Sequence, residues 1–195
     1  VEKMEETENG YCRVKLANEI SGFVPEVALR KRLDSDRFLW GKSEERFFVE
    51  QGIPEGWSEE KFRRKVVECA KGYLGCQYRW GGKAADGIDC SGVVFMVYLM
   101  NGVLIWRDSD IREGYPMKAI WREGEEMCLV EERAKAGDLL FWRGHVGMYL
   151  GDGRYLHCTG HERVFGCRVN SLRRGDEDFR KDLAEALKVV GSVFS

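Results

Sequence analysis

The chain has 195 residues, with 31 basic against 33 acidic side chains, a formal net charge of −2 and 44% hydrophobic content. That is enough for one full domain with its own core plus a smaller piece, and the balanced charge provides no basic field for nucleic acid or anionic lipid. No apolar run approaches the roughly 20 residues needed to span a bilayer.

The sequence starts at Val1 with no signal-peptide pattern, so a processed or trimmed form is expected and the compartment stays open. Seven cysteines at scattered positions, with no CxxC pair, read as mostly free thiols. The acidic opening, residues 1–9, reads as frayed. Residues 10–29 then read as two short strands joined by a turn at 18–22, with Tyr11, Arg13 and Lys15 alternating against Cys12, Val14 and Leu16, and Phe23, Val24 and Pro25 starting the second strand.

Residues 31–56 mix charges with Trp40, Gly41, Gly52 and Pro54, which suggests a connector containing one helical turn near 44–50. Ser58 is placed as an N-cap. Glu59 and Glu60 follow in the first turn, and Phe62, Val66, Cys69, Ala70 and Tyr73 recur at helical spacing until Gly75. Arg63, Arg64, Lys65 and Lys71 fall among the polar positions and read as a solvated face.

Residues 81–99 read GGKAADGIDCSGVVFMVYL. A glycine-rich loop delivers Asp89 and Cys90 to the start of an apolar helix that closes at Asn101 and Gly102. Orphan backbone N–H groups and the positive end of the helix dipole are expected to favour the Cys90 thiolate, the nucleophilic form.

Residues 106–120 read as a polar loop. The period then becomes two over 138–142, 145–150 and 154–158, three antiparallel strands with 151–153 as a hairpin loop. A three-residue loop sets Gly147 opposite His157 and puts His145 and His157 on one face, whereas a two-residue loop reverses that parity. Residues 176–190 return to a helix with Phe179, Leu183, Leu187 and Val190 as its stripe, and Val193 and Phe194 add a last short strand.

The three histidines, His145, His157 and His161, all lie in one C-terminal stretch. A cysteine at a helix start with imidazoles on a nearby strand is the apparatus of acyl transfer: Cys90 attacks a carbonyl, His145 carries the proton, and His157 orients His145. The Cys90 N–H and the Tyr78 hydroxyl are candidate oxyanion donors. Asp89 is placed to cap the helix, and Tyr78 packing against Trp80 is the plainer alternative for the tyrosine. A zinc site built from His157, Cys158, His161 and Cys167 fits no justified ligand spacing, so no metal and no cofactor is expected.

QYRWGG at 77–82, GIDCSG at 87–92, AGDLLFW at 136–142, HVGMYLGDG at 145–153 and YLHCTG at 155–160 resemble, in order and spacing, the NlpC-type bacterial cell-wall peptidases. The resemblance covers residues 58–195 and implies an α+β, papain-like cysteine peptidase domain, helices packed on an antiparallel sheet. GYCRVKLANEISGFVPEVAL, within residues 1–34, resembles the C-terminal part of a small SH3-like β-barrel, and residues 35–57 are the connector.

Together the two pieces look most like γ-D-glutamyl-L-diamino acid endopeptidases. That resemblance implies peptidoglycan stem peptides or murein fragments as substrate. It also implies Cys90 as nucleophile, His145 as base, His157 as orienting residue and Tyr78 beside the oxyanion, with Asp89 as the group meeting a free N-terminal ammonium and Ser91 beside it. Trp80 and Arg79 would shape the cleft, and Lys83, Trp106, Arg107 and Arg112 lie in loops near enough to contribute. Arg79 stands where many relatives carry an aliphatic residue, and the upstream half of the barrel is not in the sequence, which puts the restriction to free N-termini in question. Alternatives are a related thiol amidase or acyltransferase, or a non-catalytic cell-wall peptide binding module. Diaminopimelate against lysine, intact wall against small peptide, envelope or secreted against cytoplasmic, and oligomeric state are all left open by the sequence.

Overall fold

The computed structural model describes residues 2–6, 9–15, 21–29, 56–161 and 164–194. The chain divides into two compact units, residues 1–50 and 51–195. The connector and its expected helical turn lie outside the described residues, as does most of the turn at 18–22.

In the first unit, β1 (Glu2–Glu6), β2 (Tyr11–Lys15) and β3 (Ser21–Pro25) form an antiparallel sheet in that order, followed by one 3-10 turn (Glu26–Ala28). Among its described residues, Cys12 and Val14 are buried. The opening is a strand, not a frayed end. EKMEE has one apolar residue and hence no two-residue period to announce it, and what makes it a strand is backbone pairing with β2, Glu2 opposite Lys15 and Glu6 opposite Cys12.

The second unit is α+β, as the motifs imply. Helix α1 (Glu59–Lys71) starts at Ser58, whose side chain accepts from the Lys61 N–H at 3.2 Å. It buries Phe62, Val66 and Ala70. One residue of its supposed solvated face is inside. Arg63 is 9% exposed and donates to Asp138 Oδ1 at 2.8 Å, to the Ala136 carbonyl at 3.0 Å and to Glu59 at 2.8 Å. Its guanidinium matches a loop carbonyl and a buried carboxylate, so burial leaves few donors unmet.

Helix α2 (Cys90–Met100) is apolar nearly all round because it is covered nearly all round: α1 packs on it, and so do two strands of the main sheet. That sheet has six antiparallel strands in the order β10-β9-β8-β7-β11-β6, with β6 (Lys118–Arg122), β7 (Leu139–Trp142), β8 (His145–Gly151), β9 (Arg154–Thr159), β10 (Gly166–Ser171) and β11 (Val189–Ser192). Two-residue strands β4 (Lys83–Ala84) and β5 (Gly87–Ile88) form a small hairpin before α2. Helix α3 (Cys128–Arg133) follows β6. No helix among the described residues is long and apolar enough to cross a membrane.

The structure differs from the sequence reading in three places. β6 takes residues from the expected polar loop, β10 arises where no strand was expected, and the long C-terminal helix shrinks to α4 (Lys181–Glu185). Leu187 and Val190 still enter the core, beside Trp121, Leu140 and Trp142, but from extended chain: β11 sits between β7 and β6 and bonds to both. Val189, Val190 and Gly191 pair on both sides, with β7 and with β6, and this backbone pairing outweighs the helical periodicity.

The β8–β9 hairpin sets the register of the site by an unexpected route. Gly147 does face His157, yet the loop has two residues, Asp152 and Gly153, both at positive φ, between Gly151 and Arg154. A bulge at Leu150 absorbs one residue and restores the parity that a two-residue loop reverses. Gly147 is required there: a Cβ would stand 2.9 Å from the Leu156 carbonyl oxygen and 3.2 Å from His157 Cβ. Gly147→Ala is expected to cost about 1–3 kcal/mol in chemical denaturation; a loss below roughly 0.5 kcal/mol would show that the two strands are not in this close register.

Candidate active site

Cys90 opens α2, capped by Asp89, whose Oδ1 accepts from the Gly92 N–H at 2.6 Å. The same carboxylate accepts from the Gly81 N–H at 2.7 Å and from Arg107 Nη2 at 2.9 and 3.1 Å, and Arg107 Nη1 donates to the Ser91 hydroxyl. Asp89 is 7% exposed and Ser91 and Arg107 are buried with it. Of the two uses open to Asp89, the structure displays the cap: both oxygens are taken by the helix start, the glycine loop and Arg107. Ser91 faces Arg107 in the same cluster, and Arg107 is thereby engaged within the protein.

The thiol of Cys90 is not pushed towards thiolate. Burial raises it above its ordinary range and the Asp89 carboxylate adds to this, while N–H groups of Val146 and Ser91 bonding to the sulfur, and the Arg107 charge, pull the other way without prevailing. Against the helix-start expectation, burial outweighs the neighbouring groups that favour the thiolate. His145 opens β8, directly before the Val146 whose N–H reaches the Cys90 sulfur.

His145 Nε2 lies 2.7 Å from His157 Nδ1, and His157 Nε2 lies 3.0 Å from Asn170 Oδ1. Asn170 Nδ2 donates to the Asp178 carbonyl at 2.8 Å, which orients the amide so that its oxygen faces the histidine. The protons then follow by elimination. His157 must carry hydrogen on Nε2, so its Nδ1 is the bare acceptor; His145 must carry hydrogen on Nε2, so its Nδ1 keeps a free lone pair. This chain leaves His145 as a base with one open nitrogen. His157 is fully buried, against Tyr155 at 5.2 Å between ring centroids, and Trp142 packs on His145 at 5.5 Å.

Burial holds His145 down to about 3, with His157 beside it contributing, and burial holds His157 down to about 4, partly opposed by the bond to Asn170. Thiol and imidazole both rest neutral.

Tyr78 is half-buried, and its phenol is raised by burial and then by the neighbouring Cys90, so it remains a proton donor. Its ring lies on Gly160, where a Cβ would come within 2.8 Å of it, and stands edge-on to Phe165 at 5.8 Å. Trp80 is 84% exposed. Arg79 is exposed, its stem against Gly87, so it lies outward. Lys83 is half-buried, and Arg112 stacks on Trp106 at 4.2 Å. Among the described residues no group of three or more His, Cys, Asp or Glu is arranged to hold a metal ion.

Asn170 and the Asp178 carbonyl were not anticipated. Both lie in or beside β10, a strand with no clear alternation, and the partner of Asn170 is 13 residues away in sequence.

Residues 75–175, a span that includes Tyr78, Cys90, both paired histidines and Asn170, match the model of the NlpC/P60 family. The chain belongs to the NlpC/P60 family. Among curated relatives, dipeptidyl-peptidase 6 of Lysinibacillus sphaericus is 44% identical over 139 residues, 71% of this chain and 47% of that protein. The γ-D-glutamyl-L-lysine dipeptidyl-peptidase of Bacillus subtilis is 35% identical over 119 residues, 56% and 37% respectively. The chain thus spans less than half the length of these curated relatives. The crystal structure of an NlpC/P60 family protein from Bacillus cereus superposes with a TM-score of 0.52 over 96% of this chain and 52% of that one, at 21% identity, and shares the fold.

The depressed histidines set a pH dependence of stability. Well above pH 6.5 both are neutral whether folded or unfolded. Below it the unfolded chain takes up protons that the folded one refuses until about 4 and about 3, so stability falls as pH falls through that window. Thermal melts should be level above pH 7 and decline from 6.5 towards 4, with a shallower decline for His157→Gln; equal slopes in the two proteins would contradict the buried neutral pair.

Proposed function

We propose that this chain is a cysteine peptidase that hydrolyses the bond between the γ-carboxyl of D-glutamate and the L-diamino acid in peptidoglycan stem peptides. The observation that carries this reading is the chain of bonds from Asn170 through His157 to His145, which leaves a bare imidazole nitrogen in the residue next to the amide that reaches the Cys90 sulfur. The names of the relatives from Lysinibacillus sphaericus and Bacillus subtilis support the reaction, and the latter supports the bond.

In the proposed cycle His145 Nδ1 takes the thiol proton as Cys90 sulfur attacks the γ-carbonyl. The tetrahedral oxyanion is met by the Cys90 N–H and the Tyr78 hydroxyl. Collapse forms a thioester and expels the diamino acid amine, which receives the proton from His145; water, deprotonated by the same nitrogen, then releases the acyl peptide. His157 holds the His145 ring and stabilises the imidazolium that forms. Asp89 and Ser91 support the helix start, and a substrate ammonium at Asp89 would have to share it with Arg107. Trp80, exposed, and Arg79 border the cleft. The N-terminal segment, residues 1–34, is read as part of an SH3-like module ahead of the connector 35–57 and the catalytic domain 58–195.

Mass spectrometry of the protein incubated with L-Ala-γ-D-Glu-diaminopimelate should show release of diaminopimelate, and none with Cys90→Ala. Cleavage by Cys90→Ala, or none by folded wild type, would remove the reading. An N-acetylated tripeptide left intact would establish a free N-terminus as part of the substrate. Asn170→Leu should lower kcat about 10- to 100-fold. It should also move the acid limb of the pH profile, which a merely structural role for Asn170 would leave in place.

A further inference from the structure

We propose that Cys158 and Cys167 are a disulfide-forming pair, an oxidisable site separate from the nucleophile that ties β9 to β10. The β9–β10 register sets the two directly opposite one another. Their position in the ladder follows from where the backbone groups of Cys167 point. Its N–H donates to the Cys76 carbonyl at 2.8 Å and its carbonyl accepts from the Gly75 N–H at 2.9 Å, so both turn away from β9. Cys158 and Cys167 are therefore a non-hydrogen-bonded pair. Such pairs hold their Cα atoms about 4.5 Å apart, inside the range of roughly 4.4–6.8 Å that a disulfide spans.

Side-chain chemistry agrees with the backbone. Both residues are buried, 0% and 4% exposed, with no other cysteine opposite them in a described strand pairing. The Cys158 S–H donates to the Ile88 carbonyl at 3.1 Å, and the Cys167 side chain opposite is the neighbour that most raises the Cys158 thiol. That contact reaches the hairpin just before Cys90. His157 precedes Cys158 on β9, and Asn170 follows Cys167 by three on β10, so a bond here would join the two strands that carry the His157–Asn170 contact.

Oxidation requires an acceptor for two electrons, and a low-molecular-weight disulfide serves. The Cys167 thiolate, on the outer strand of the sheet, attacks one sulfur of the reagent and expels the other as a thiolate. Cys158, deprotonated in turn, attacks the Cys167 sulfur and expels the second reagent thiolate. Two protein thiols and one reagent disulfide become one protein disulfide and two reagent thiols. The loop closed is short, so the gain in stability is modest, on the order of 5 °C in Tm.

The test uses the full chain carrying Cys90→Ala, which removes the competing nucleophile. It is incubated with oxidised glutathione at mildly alkaline pH, quenched, alkylated in denaturant and mapped by mass spectrometry. The expected product is a linked Cys158–Cys167 peptide pair, lighter by two hydrogens than the two reduced peptides, with a Tm increase that dithiothreitol reverses. A further Cys167→Ser change should remove both the link and the Tm increase. Separate alkylation of the two cysteines, stable glutathione adducts on either, a bond to Cys76 instead, or a Tm increase that persists in the Cys167→Ser variant would each overturn the proposal.

Discussion

The site depends on burial of one helix start. α2 is apolar on almost every side and is enclosed by α1 and the sheet, so its first turn, with Cys90, Ser91 and Asp89, is carried out of water. Buried N–H groups and a buried carboxylate need partners, and Arg107, Gly81 and Gly92 supply them around Asp89. The cost of this enclosure falls on Cys90, whose thiol becomes harder to ionise than in solution. In the proposed cycle such a thiol needs a base at the moment of attack.

That requirement gives meaning to the opposite end of the hydrogen-bond chain. An amide held by a backbone carbonyl cannot exchange its donor and acceptor ends without losing a bond, and through His157 this fixes which nitrogen of His145 is bare. Direction is imposed on two symmetric-looking rings by a group that titrates nowhere near neutral pH. Low pKa values at His145 and His157 keep both neutral, and the same burial that depresses them keeps their bonds short of competition from water.

Much of the site was legible before any fold was known. Asp89-Cys90 at the end of a glycine loop, capped and followed by an apolar run, is a local pattern, and local patterns survive folding because capping and helix propensity act within a few residues. His145 and His157 were legible as a pair through period two and a hairpin, although the loop length was misjudged and the bulge at Leu150 corrected it. Asn170 was not legible, because nothing near it in sequence needs it. Its partner is made a neighbour only by strand pairing.

By itself, the sequence determined the elements whose signals are short-ranged: the Ser58 cap, the apolar α2, the strands β7 to β9 and the order of Tyr78, Cys90, His145 and His157 along the chain. Tertiary structure decided what depends on partners far away. It turned the C-terminal apolar stripe into β11 because two strands offered it hydrogen bonds, drew Arg63 inward because Asp138 and Ala136 were there to receive it, and made β1 a strand through β2. It also decided protonation, since burial and hydrogen-bond direction are properties of the assembled environment: the thiol of Cys90, the tautomer of His145 and the facing of Cys158 with Cys167 exist only once the sheet has closed over them.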